Sequence, residues 1–394
     1  MKPIPKRLLS KIFANIAQQK TQIHLQSPRK ALQEAESLVG YSFCLGQKWM
    51  ENENIKMIEV LTKKLLGADV SFEENVKKLL LNDYHVFPWG LIILLISKSA
   101  GSANQLSDTE TNQEVLNIQR SMAEVGDMLR CMKILHNNVQ NLSKKNKETN
   151  LKTFSNNLFI LIGDFIFART YQEFATWKRT DAMEIICSGI RDFSDVAFME
   201  PKDSHNRFIP AKPDDPPRDI AMTVPDLSDI EVIANLSDSF GNAKNEWIMR
   251  HLLGGTIMLS KCCQAALLVG NHPKPLQTAG HLLGSNLALA HQASVDYSKF
   301  LKDNDDSFDL VSAPLLFHLQ DNPNYYEKVL EITKRQTVDY GEIRRNVRLG
   351  SGLEKTRELV DELRTNALDG LHIFPDNDAK MALRNIIVNQ IATD

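Results

Sequence analysis

The sequence predicts an all-α protein, and three observations carry that prediction. Apolar residues recur at three- and four-residue spacing: "EKTRELVDELRTNALDGL" places Leu353, Thr356, Val360, Leu363 and Ala367 on one helical face with charges between them. Two long segments, 245–270 and 279–301, are apolar with small residues interspersed, which suits helices packed inside a bundle. Alternating strand patterns are scarce. About a dozen helices account for the chain.

Taken in order, the N-terminus comes first. There is no Asp or Glu before Glu34, while Lys2, Lys6, Arg7, Lys11, Lys20, Arg29 and Lys30 precede it, and Leu8, Ile12 and Ile16 can share one helical face. That is the pattern of a mitochondrial transit segment over residues 1–30, and an ordinary basic first helix is the other reading. A helical domain is expected over residues 31–394. Residues 89–97 ("WGLIILLIS") and 158–168 ("LFILIGDFIFA") read as buried helices. Residues 101–113 form a polar connection between helices. Residues 201–229 hold six of the fifteen prolines and many charges, so a continuous helix cannot run through them. A long Pro-rich loop is placed at about 201–243.

Composition excludes several functions. A formal net charge of -3 argues against a general nucleic-acid binder. No apolar run reaches the roughly 18 residues needed to span a bilayer, so no transmembrane segment is expected. Cys44, Cys131, Cys187, Cys262 and Cys263 lack C-x-x-C or zinc-ligand spacing and read as reduced, mostly buried thiols.

The segment "DMLRCMKILHNNVQN" (127–141) is the most informative. It ends in His136 followed by Asn137, Asn138 and Asn141. With "LIGDFIFAR" (161–169), "LSKCCQAA" (259–266), "LALAHQASVDYSKF" (287–300) and "FDLVSAPLLF" (308–317), it resembles, in order and spacing, the trans-prenyl diphosphate synthase family from about Glu34 onward. Within that family, "EAESLVGY", "LLISKSAG", "KCCQAA" and "SAPLLFH" resemble the non-catalytic subunit of heteromeric decaprenyl or solanesyl diphosphate synthases. The resemblance implies an all-α isoprenoid-synthase bundle and residues retained at His136, Asp164, Arg250 and Gln292. Asp164 and Gln292 are expected to serve packing or hydrogen bonding. For His136 that role and a functional one stay open. At Arg250 and its neighbour His251 the family has a Lys-Thr pair.

The departures from the family concentrate on its chemistry. The first metal helix of the family carries aspartates where this chain has Asn137, Asn138 and Asn141. In the second, the three positions hold Val295, Asp296 and Lys299. Mg²⁺ dehydrates reluctantly and needs carboxylate charge, which Asn lacks and Lys opposes. The family's Lys and two Arg that grip a diphosphate are replaced by Val86, Phe87 and Trp89. Phosphate recognition needs cationic donors, which these side chains do not offer.

The resemblance therefore implies a non-catalytic, obligatory subunit of a mitochondrial polyprenyl diphosphate synthase that makes the ubiquinone side chain, in the matrix or peripheral to the inner membrane. Its partner would be an aspartate-bearing catalytic subunit, in a heterodimer or heterotetramer, and Mg²⁺ would sit in that partner rather than in this chain. The apolar segments 245–270 and 279–301 are expected to supply interface. Met132 occupies a position where family members tune product length, and core packing explains it equally well. The alternatives are an active synthase with an unconventional metal site, a polyprenyl-binding module, and a scaffold of ubiquinone biosynthesis.

Overall fold

The computed structural model describes residues 28–41, 87–101, 116–137, 139, 147–199, 201–203, 207–214, 239–302, 307–335 and 338–390. Among these the chain is helical, and the only strand-like feature is an isolated antiparallel bridge between Lys202 and Phe208. The helices are α1 (Pro28–Val39), α2 (Trp89–Ala100), α3 (Asn117–Asn137), α4 (Lys147–Trp177), α5 (Thr180–Asp195), α6 (Ala243–His251), α7 (Ile257–Val269), α8 (Lys274–Leu301), α9 (Ala313–Asp321), α10 (Tyr325–Lys334), α11 (Tyr340–Arg348), α12 (Gly352–Gly370) and α13 (Asp378–Gln390). The all-α expectation is met. Residues 1–27 of the transit-like segment lie outside the described residues, and α1 begins at Pro28.

The centre of the bundle is built from α2, α7 and α8. Helix α2 is apolar on every side and is accordingly buried throughout except at Lys98. Close helix approach is set by glycines: a Cβ on Gly126 of α3 would collide with Ile93 of α2, and one on Gly284 of α8 would lie 3.1 Å from the Cys263 sulfur of α7. A second, smaller core gathers Phe300, Phe308, Leu315, Val329, Ile343 and Val347 where α9, α10 and α11 meet the end of α8. The predicted stripe on α12 is present: Thr356, Val360, Leu363 and Ala367 are buried, and Leu353 is half-buried.

Three expectations need correction. First, the helix over 245–270 is not continuous α-helix. A π-helical turn, Leu252–Thr256, joins α6 to α7, with Gly255 at φ 125°, a conformation that side chains on L residues rarely adopt. Second, Ala243–Val269 is long and apolar enough by length and composition to cross a membrane. However, 89% of its most apolar window is buried inside the bundle, as befits a core helix. The same burial, and that of most of α8, removes these segments as exposed interface. Third, 158–168 is not buried all round. Helix α4 packs chiefly along α3, and Ile160, Leu161 and Phe165 are 41%, 61% and 37% exposed. Cys131, Cys262 and Cys263 are buried free thiols and Cys187 is half-buried; Cys44 lies outside the described residues.

The Pro-rich loop is anchored at both described feet. Glu246 of α6 accepts from the Ala211 and Gly241 amides, and the Asp214 amide donates to the Gly241 carbonyl at 3.0 Å. Gly241 has φ 87°, and a Cβ there would lie 2.7 Å from Asp214 Oδ1. Residues 215–238 thus leave and return at hydrogen-bonded neighbours, so the bundle does not depend on them to bring the feet together. Replacing 215–238 by a four-residue Gly/Ser link is expected to leave the melting temperature within about 2 °C, because loop-closure entropy changes slowly with length. Calorimetric melting of the shortened chain checks this, and loss of a cooperative transition would contradict it.

Candidate functional site

The described residues of the two predicted metal motifs lie at the end of α3 and on α8. The first lies at the C-terminal end of α3. There His136 is half-buried and Asn137 exposed, while Asn138 and Asn141 lie outside the described residues. His136 lies against α4, its Nε2 3.6 Å from Asp164 Oδ1, and a Cβ on Gly163 would collide with the imidazole. Asp164 is 63% exposed, so it is not the buried packing residue the sequence suggested. Met132 is buried in the core.

The second motif holds one carboxylate, and the fold uses it internally. Asp296 is buried. Its Oδ2 accepts from Trp247 Nε1 at 2.9 Å and from the Ala313 amide at 3.1 Å, and its Oδ1 accepts from Gln292 Nε2 at 2.9 Å. One side chain thereby ties α8 to α6 and caps the start of α9, satisfying an amide donor that a helix N-terminus leaves open. Gln292 acts in hydrogen bonding, as expected. Burial raises the Asp296 pKa against the opposing effect of these bonds and of nearby Lys299. His251 Nε2 lies 3.8 Å from Asp296 Oδ2, and burial pushes the His251 pKa down to about 4. Val295 is half-buried one residue before this carboxylate.

These residues do not fit Mg²⁺. Asn137 is neutral, Val295 has no donor atom, Lys299 carries like charge, and both Asp296 oxygens are committed within the fold. Among the described residues, no three His, Cys, Asp or Glu side chains converge to hold a metal ion.

The diphosphate-grip positions are core. Phe87 and Trp89 are both 4% exposed, and Phe87 stacks on His291 with centroids 4.9 Å apart; Val86 lies outside the described residues. Arg250 likewise is spent inside the fold. It pairs with buried Glu246 at 2.9 Å, and its guanidinium lies 5.3 and 4.7 Å from the Phe208 and Phe240 ring centroids. It clamps the Pro-rich loop to α6.

Sequence reasoning missed two side chains. Asp127 of α3 is buried and accepts from Tyr41 Oη at 2.7 Å and from the Gly90 amide at 3.0 Å, locking the end of α1 and the start of α2 onto α3. A Cβ on Gly90 would lie 2.6 Å from both Asp127 Oδ2 and Tyr41 Oη. Gly90 beside Trp89 was the available signal. Lys133, one turn before His136, runs across the π-helical turn: a Cβ on Gly255 would lie 2.5 Å from its Cδ and 3.1 Å from its Nζ. Burial, and then Arg130, push its pKa down to about 8. Its spacing from His136 was visible, but not its contact with a residue over a hundred positions away.

No protein-family model matches the chain. It is similar to the all trans-polyprenyl-diphosphate synthase PDSS2 of Mus musculus, with 25% identity over 91% of this chain and 86% of the relative. It is 24% identical to the Homo sapiens protein of the same name over the same shares. Among solved structures, a polyprenyl synthase from Caulobacter crescentus superposes with a TM-score of 0.59 at 15% identity, covering 93% of this chain and 98% of that one. The resemblance drawn from the sequence therefore holds, and the fold is the all-α isoprenoid-synthase bundle.

Proposed function

We propose that this chain is a non-catalytic, obligatory subunit of a mitochondrial polyprenyl diphosphate synthase. The holoenzyme condenses isopentenyl diphosphate onto an allylic primer to make the ubiquinone side chain. An aspartate-bearing partner supplies the Mg²⁺ and the chemistry. The observation that carries the reading is Asp296, the one aspartate left in the second motif, whose two oxygens are spent on Trp247, Gln292 and Ala313. The likeness to PDSS2 supports the pathway. So do the names of two further relatives, the probable mitochondrial hexaprenyl pyrophosphate synthase of Yarrowia lipolytica and the mitochondrial hexaprenyl pyrophosphate synthase of Saccharomyces cerevisiae, 24% and 23% identical. The acid-free N-terminus supports import into mitochondria.

The partner surface is the uncovered face of α4. This helix carries two apolar stripes. Ile162, Ile166, Thr170 and Phe174 face the core, while Leu161, Phe165 and Ala168 are exposed. About a point midway between residues 166 and 167, Phe165 mirrors Ala168 and Asp164 mirrors Arg169. An antiparallel helix with the same pattern would set large against small and acid against base. A related chain presenting the same helix is the occupant this pattern fits.

The test is a turnover assay with a farnesyl primer and Mg²⁺. The pure chain is expected to give no product, and adding the aspartate-bearing subunit is expected to raise product at least tenfold over that subunit alone. Mg²⁺-dependent elongation by the pure chain, free of host synthase, would falsify the non-catalytic reading.

A further inference from the structure

The turn between α11 and α12 brings one hydroxyl into a cluster of charged groups. Residues 349–351 join the two helices; Leu349 is 89% exposed, Gly350 is exposed, and Ser351 lies between two glycines. Ser351 is the N-cap residue of α12, yet its side chain does not cap the helix. Its hydroxyl donates instead to Asp321 Oδ2 at the end of α9, and Lys355, one turn into α12, donates to Asp321 Oδ1 at 2.5 Å. One carboxylate thereby ties α9 to the start of α12. His318, one turn earlier on α9, is buried, and its Nδ1 makes no hydrogen bond. That nitrogen faces Gly350, where a Cβ would lie 2.5 Å from it.

A phosphoryl group on Ser351 meets three favourable partners here. The N-terminus of a 19-residue helix leaves amide donors open and carries the positive end of the helix dipole. Lys355 supplies an ammonium that already reaches this corner. The His318 Nδ1 atom is a ring nitrogen with its hydrogen bond unspent. Asp321 is the group a phosphate dianion cannot sit beside, since two anions repel; Glu354, also acidic, is exposed to solvent. The chain ahead of the serine is basic, with Arg345 and Arg348 six and three residues before it. Arg348 is held by the Phe300 and Lys302 carbonyls at 2.5 and 2.8 Å, neutral acceptors that the carboxylates of a kinase cleft can replace. The flanking glycines allow this connection to extend into such a cleft.

We propose that Ser351 is a phosphorylation site for an arginine-directed protein kinase, and that its phosphate takes Lys355 from Asp321 and so unties α9 from α12. The γ-phosphoryl group of a nucleoside triphosphate passes to Ser351 Oγ. The Oγ–P bond forms, the bond from that phosphorus to the bridging oxygen breaks, the nucleoside diphosphate leaves, and the hydroxyl proton goes to the catalytic base of the kinase. The switch lies on α9 and α12, and it is independent of whether this chain or a partner performs catalysis.

The experiment treats the folded full-length chain with ATP and either cyclic-AMP-dependent protein kinase or protein kinase C, followed by peptide mass spectrometry. One phosphoryl group is expected on the peptide that holds Ser351, and none there in Ser351→Ala. No incorporation with either kinase, or total incorporation unchanged in Ser351→Ala, would overturn the site. Phosphorus NMR of the modified chain then reads the capture by Lys355. The second ionisation of the phosphate is expected below its ordinary value of about 6, and back at about 6 in Lys355→Met. Hydrogen exchange reads the release of α9: amides at its C-terminal end are expected to exchange at least tenfold faster after modification. An ordinary ionisation in the unaltered sequence, or unchanged exchange, would overturn the switch.

Discussion

Asp296→Ala is expected to destabilise the fold by about 3–5 kcal/mol, because it strands three donors at once and each buried unsatisfied group costs about 1–3 kcal/mol. Those donors, Trp247 Nε1, Gln292 Nε2 and the Ala313 amide, belong to α6, α8 and α9, so the loss falls on the joint between three helices. Asp296→Asn should cost far less. Its amide oxygen can keep Trp247 and Ala313, and a flipped Gln292 can present its own oxygen to the new amide nitrogen. Denaturant unfolding of the two variants measures the gap; equal stability would show that Asp296 does not organise this joint.

The pH dependence follows from the direction of the shift. Burial raises the Asp296 pKa above its ordinary 3.8, so its contribution to stability is fully present below that value and is lost as pH rises through the folded-state pKa. Relative to Asp296→Asn, the unaltered chain should therefore lose stability with rising pH above about 3.8. A pH-independent difference would contradict this. A metal-ligating aspartate would behave in the opposite way, since metal binding favours the ionised form.

The second large effect concerns assembly. The double variant Leu161→Glu, Phe165→Asp is expected to weaken complex formation with the aspartate-bearing subunit at least a hundredfold, while leaving the isolated chain as stable as before. Both side chains are exposed, Leu161 at 61% and Phe165 at 37%, so the fold does not rely on their burial. In an assembled interface each would sit in the apolar centre, where a charge is left unpaired and desolvated. Sedimentation of the mixed subunits reads the complex, and melting of the chain alone reads its stability. Undiminished assembly would remove α4 as the contact surface.

The legible part of this protein is the part that periodicity and side-chain chemistry encode locally. The stripe on α12 announces its helix because every third or fourth residue must face the core. The apolar circumference of α2 announces its burial. That 137, 138 and 141 are Asn and 295 is Val is readable directly, and an amide or an isopropyl group has no charge to offer a cation in any fold.

What the sequence could not determine is where an apolar face points and what a polar atom touches. Helices α4 and α7 look alike as apolar runs. One is wrapped by its own chain, whereas the other leaves a stripe uncovered, because covering depends on which helices arrive from distant segments. Arg250 and Asp296 match family positions, yet only the packing shows that one clamps a loop through Glu246 and the other ties three helices together. Lys133 is unremarkable as a letter. Its meaning comes from a positive-φ glycine over a hundred residues away that opens the turn it crosses. The sequence by itself determined the all-α class and the lack of a carboxylate cluster at 137–141 and 295–299, both set by residue type and local spacing. Only the tertiary structure decided which remaining charges are spent inside the fold, because that is a matter of contact between residues far apart in the chain.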